Sequence, residues 1–86
     1  MRCAGASPNP FPGGTTIRYR LGGVTRVDLA VFDPSGRVVD HLVRDELQRP
    51  GWHRVAWPEG PVPAGVYFVR LKVGELTHSA KLIRVR

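Results

Sequence analysis

Val27-Asp28-Leu29-Ala30-Val31-Phe32-Asp33-Pro34-Ser35-Gly36-Arg37-Val38-Val39 is the stretch whose reading decides the fold. From Thr25 to Phe32, Val27, Leu29 and Val31 alternate with Arg26, Asp28 and Ala30. That is the period of a strand with one buried face. Asp33-Pro34-Ser35-Gly36 then reads as a tight turn, because Pro34 presets the first central φ, Asp33 can accept from backbone amides and Gly36 suits the exit position. A hairpin from about Val27 to Val43 follows. Arg37 to Arg44 is the returning strand, in which Val38-Val39 and Leu42-Val43 blur the alternation, the mark of a bulge or of burial on both faces.

The same pattern extends in both directions. Upstream, Ile17, Tyr19 and Leu21 share one face of a strand over Thr16 to Leu21, with Thr16, Arg18 and Arg20 on the other, and Gly22-Gly23 ends it. Downstream, residues 45–51 read as a connection closed by Pro50-Gly51, then Trp52 to Trp57 places His53, Val55 and Trp57 together. After a proline-rich connection over residues 58–64, Val66 to Val73 sets Tyr67, Val69, Leu71 and Val73 on one face. Gly74-Glu75 turns the chain into a last strand over Leu76 to Val85. No helical period occurs, so the fold expected is all-β, an antiparallel immunoglobulin-like β-sandwich of about six or seven strands. It spans residues 15–86, and residues 1–14, rich in proline, are expected as an extended linker or lead-in.

Composition narrows the function classes. With 86 residues and 42% hydrophobic content the chain makes one domain with a small core. No apolar run approaches the roughly 20 residues of a membrane-spanning helix, so no transmembrane segment is expected, and residues 1–14 contain no signal-peptide core. Cys3 is the only cysteine, which excludes an intrachain disulfide and a multi-cysteine metal site. The net charge of +6 suits a polyanion, but it rests mainly on arginines, among them Arg18, Arg20, Arg26, Arg37, Arg44, Arg54, Arg70 and Arg84, read as spread over solvent faces. Few aromatics are available for stacking bases, and nucleic acid is not expected as a partner. Asp40 and His41 are strand neighbours pointing to opposite faces, and no helical His pair exists. Neither an enzyme, nor a cofactor, nor a metal site is expected.

The phrases Asn9-Pro10-Phe11, Thr15 to Tyr19, Asp33 with Gly36-Arg37, Trp57, Gly65-Val66-Tyr67 and Lys81-Leu82-Ile83 occur in an order that resembles the C-terminal sorting domain (type A) of type IX secretion. That family is itself related to the immunoglobulin-like domain of the flagellar hook-capping protein. The similarity covers about Ser7 to Arg86. One departure is the short loop from Trp57 to Pro61, where the family commonly has a longer, aspartate- and glycine-rich segment. Glu59 is its only carboxylate, too few for a hard cation.

The resemblance implies a folded signal at the end of a larger secreted precursor. Its partners would be the outer-membrane secretion translocon and a cell-surface sorting protease, with coupling of the cargo to anionic lipopolysaccharide a further possibility it carries. The localisation implied is secreted or outer-membrane cell surface, and the missing signal peptide is then expected to belong to the cargo. Candidate recognition residues are Asn9, Pro10, Phe11, Asp33, Gly36, Arg37, Lys81 and Arg86. Cleavage is expected around Cys3 to Pro8. The alternative is an immunoglobulin-like accessory, adhesion or hook-capping-type assembly module with no sorting role.

Overall fold

The structure, a computed structural model, describes residues 2–7, 13–57 and 63–85. Seven strands are present among them: β1 (Arg2–Ser7), β2 (Thr15–Leu21), β3 (Thr25–Phe32), β4 (Val38–Gln48), β5 (Gly51–Trp57), β6 (Gly65–Val73) and β7 (Leu76–Arg84). They form a three-stranded sheet in the order β1-β2-β5 and a four-stranded sheet in the order β4-β3-β6-β7. All pairings are antiparallel. In the constant-type immunoglobulin sandwich the fourth strand lies beside the fifth. Here it pairs with β3 instead, which leaves β5 at the edge of the smaller sheet.

The alternation read from the sequence builds the interior. Ile17, Tyr19 and Leu21 from β2 meet Val27, Leu29 and Val31 from β3, Tyr67, Val69, Leu71 and Val73 from β6, Trp57 from β5 and Leu82 from β7 in one cluster. Trp57 packs edge-on against Tyr67 at 5.3 Å between ring centroids. The Tyr67 hydroxyl donates to the Pro63 carbonyl 2.5 Å away, so the ring is both packed and tied to the chain just upstream. That is the device known as a tyrosine corner in immunoglobulin-like sandwiches. On the other flank the Tyr19 hydroxyl donates to Gln48 Oε1 at 2.5 Å. Burial pushes the Tyr19 phenol above its ordinary pKa, although the Gln48 contact works the other way.

Four sequence expectations are corrected. Arg2–Ser7 is not a lead-in outside the sandwich but an edge strand paired with β2, with Ala6 opposite Ile17 and Ser7 opposite Thr16. The prolines that signalled a linker begin only at Pro8, and the residues before them keep every backbone donor. Consequently Cys3 to Ser7 would have to be stripped from β2 before a protease could take it as a free extended segment. The second correction concerns β4, which continues through residues 45–48 instead of ending at Arg44. Its partner register slips between Val27 and Leu29, between Leu29 and Ala30 and between Val31 and Phe32. Those slips absorb the extra length of β4 as bulges, one of them at Asp45, whose φ of 45° is left-handed.

Ala30, expected to face solvent, is buried. It lies in an inner strand between His41 and Arg70, and the larger neighbours cover its single methyl. Arg84, expected on a solvent face, is also buried, with its guanidinium carbon 5.9 Å from the centre of the Trp57 ring. Position on an inward register outweighs charge there, and the aromatic face accommodates the cation.

Candidate recognition surface

Among the candidate residues, Asp33, Gly36 and Arg37 form the turn between β3 and β4. Asp33 Oδ1 accepts from the backbone N–H of Ser35 at 2.9 Å, the Ser35 hydroxyl at 2.5 Å and the backbone N–H of Arg37 at 3.0 Å. The Asp33 carbonyl receives the Gly36 N–H at 3.0 Å, and the Asp33 N–H donates to the Arg37 carbonyl at 2.9 Å. The Ser35 hydroxyl, together with the two backbone amides, holds the carboxyl below its ordinary value of 3.8. Gly36 sits at φ 88°, and an added Cβ would meet nothing within 4 Å. Its requirement is therefore conformational, not spatial. Asp33 and Gly36 shape the turn, while the Arg37 side chain is exposed beyond it.

Lys81 is exposed on β7, well away in sequence, yet the sheet register links it to this turn. Val38 pairs with Phe32, Phe32 with Phe68, and Phe68 with Lys81. Cross-strand partners project to the same side, so these four positions form one row across the outward face, with the Asp33 to Arg37 turn beside its first strands. Val38 and Phe68 are exposed large apolar side chains, 51% and 38% respectively. Arg70 lies over the Phe32 ring at 4.2 Å, giving the row a cationic cover. As recognition residues the sequence pointed to Arg37 and Lys81 but not to Val38, Phe68 or Arg70. The outward positions of β3 and β6 were readable from the alternation, but their alignment depends on two inter-strand registers. The remaining candidates, Asn9, Pro10, Phe11 and Arg86, lie outside the described residues, as does the short loop containing Glu59.

At the opposite end of the same face, charges are neutralised within the fold. Asp28 Oδ1 accepts from His41 Nε2 at 2.8 Å and from the backbone N–H of Asp45 at 3.2 Å. Arg26 Nη1 donates to the Asp45 carbonyl at 3.1 Å and lies 4.0 Å from its carboxylate. These contacts secure the bulge in β4. Among the described residues, no group of three His, Cys, Asp or Glu side chains is placed to hold a metal ion, and no helix is long and apolar enough to cross a membrane. What the described residues of this face offer is an exposed, shaped surface built on the turn and the row beside it.

Comparison with known proteins agrees with that geometry. The family model of the secretion system C-terminal sorting domain matches residues 6–85. The chain belongs to this family, the sorting domains of type IX secretion. Its match begins near the end of β1 and runs past the end of β7, so β2 to β7 all lie within the family's unit. No curated protein matches the chain in sequence. In solved structures it is similar to an uncharacterized protein from Bacillus anthracis str. Ames, with 13% identity, TM-score 0.71, and coverage of 95% of this chain and 81% of the other. It is also similar to CopC from Methylosinus trichosporium OB3b, with 17% identity, TM-score 0.54, and coverage of 96% and 89%. At these identities the likeness concerns the β-sandwich fold alone.

Proposed function

We propose that this sorting domain directs a larger secreted protein across the outer membrane and to the cell surface, through contact of its folded surface with the type IX translocon. The observation that carries the reading is the family match over residues 6–85. The contact surface is the row Val38, Phe32, Phe68 and Lys81 together with Arg37 at the adjoining turn. Apolar side chains exposed in a patch and rimmed by cations suit a protein partner, because they gain burial while the rim fixes orientation. A cell-surface protease that removes the domain, with transfer of the cargo to anionic lipopolysaccharide, completes the proposed route. In it the domain acts as substrate and signal, and the catalytic groups belong to the partner.

The test is a fusion of residues 1–86 behind a signal peptide and a fluorescent reporter, expressed in a bacterium with type IX secretion. Surface delivery is expected, with loss in a translocon mutant. Phe68→Asp and the pair Arg37→Glu with Lys81→Glu should reduce delivery while the isolated domain still unfolds in one cooperative transition well above the assay temperature. Retention of a folded fusion in the periplasm would instead favour an accessory or assembly module.

A further inference from the structure

We propose that the outward face of the three-stranded sheet binds a linear acidic polysaccharide, with Arg18, Arg20 and Arg54 pairing its carboxylates and Trp52 stacking on a sugar ring. The observation is a register one and does not depend on the sorting reading. Arg18 is the direct cross-strand partner of Arg54, and Arg20 that of Trp52. All four side chains are exposed, Trp52 at 58%. Like charges set directly opposite each other on a sheet are unfavourable to folding. On the other sheet comparable cations are compensated, Arg26 by Asp45 and Arg70 by the Phe32 ring. Here no carboxylate faces them on β2 or β5, whose outward positions are Thr16, Arg18, Arg20, Trp52, Arg54 and Ala56.

The shape matches an extended ligand. Arg18, Trp52 and Arg54 line an open groove of about 380 Å³. Next to it, Thr16 stands opposite Ala56, so small side chains continue the face without a wall. Guanidinium groups present a planar fork that takes a carboxylate by two hydrogen bonds. An indole lying beside them offers a flat apolar surface to the C–H face of a pyranose. Single-stranded nucleic acid would use a series of stacking rings, and Trp52 is the sole aromatic among the described outward positions of β2 and β5. A second copy of this chain is disfavoured by its own net charge of +6.

The experiment titrates the full chain with a polygalacturonate oligomer, using a neutral dextran oligomer and a single-stranded oligonucleotide of equal charge as comparison ligands. Calorimetry reports affinity, and protection of tryptophan fluorescence from acrylamide reports burial of Trp52, since Trp57 is already buried. Expected results are binding of the uronate oligomer in preference to both comparison ligands, weakening with salt, and protection of Trp52. Arg18→Glu should lower that affinity at least about tenfold, the loss of a charge-assisted pair. Because it places a carboxylate opposite Arg54, the same variant should unfold at a higher temperature than the parent, so weaker binding cannot be attributed to misfolding. Trp52→Ala should lower affinity, and Lys72→Glu on the other sheet should not. Undiminished uronate binding by Arg18→Glu, equal binding of dextran, or tighter binding of the oligonucleotide would each overturn the proposal.

Discussion

The two outward faces of this sandwich carry their arginines under opposite conditions. On the four-stranded sheet, Arg26 reaches Asp45, Arg70 lies over Phe32, and Asp28 collects both His41 and the Asp45 amide. On the three-stranded sheet, Arg18 and Arg54 confront each other across β2 and β5. One face therefore spends its charges on holding β4 in place, and the other leaves them to solvent or to a ligand. A count of arginines would treat the faces alike. Their neighbours, set by register, make them different.

The comparison rests on a shared interior, and removing that interior should abolish it altogether. Trp57→Ala should cost about 3–5 kcal/mol, the range for an aromatic side chain lost from a packed core, and a urea titration should show both faces unfolding in one transition. Less drastically, Asp28→Ala should cost about 1–2 kcal/mol, since a half-buried carboxylate with two donors is removed. Hydrogen exchange would then rise over β4 around Asp45 and leave β2 and β5 unchanged. An equal rise on both sheets would break the claim that this network serves one face.

Acid should sharpen the difference further. The Asp33 carboxyl has a folded-state pKa below its ordinary value of 3.8. Its contribution to stability is therefore complete above that value and drains away as pH falls through the lower, folded value. Asp33→Asn should flatten the acid limb of a stability profile below pH of about 4, without altering the three-stranded face. The smallest effect, and the one opposite in sign, belongs to Arg18→Glu. Converting the Arg18–Arg54 confrontation into an opposite-charge pair should raise stability by about 0.2–1 kcal/mol, measurable as a higher midpoint at low salt that shrinks as salt is added.

How far the molecule was legible in its sequence varies by residue. Ile17, Leu29 and Val69 announced their burial because a period of two leaves no other way to hide alternate apolar side chains. The Asp33 to Gly36 turn was legible for an equally local reason: its hydrogen bonds connect residues no more than four apart. Arg2–Ser7 was not legible as a strand, because Arg-Cys-Ala-Gly-Ala-Ser has no alternation of its own and joins the sheet through the register of β2. Residues 45–48 failed for a related reason. Their charged composition reads as a connection, while the bulge at Asp45 and the anchoring Asp28 lie on different strands.

The recognition surface divides in the same way. Arg37 and Lys81 were visible as members of short phrases, but nothing local joins them to Val38, Phe32 and Phe68. By itself the sequence determined the all-β class, most strand positions, the turn chemistry and the sorting family, because alternation, turn propensity and ordered motifs act over a few residues. Tertiary structure alone decided that β4 sits beside β3, that Arg84 goes inward beneath Trp57, and which cations have partners. Those outcomes depend on the registers between strands, where one residue of slip would exchange the two faces and every neighbour on them.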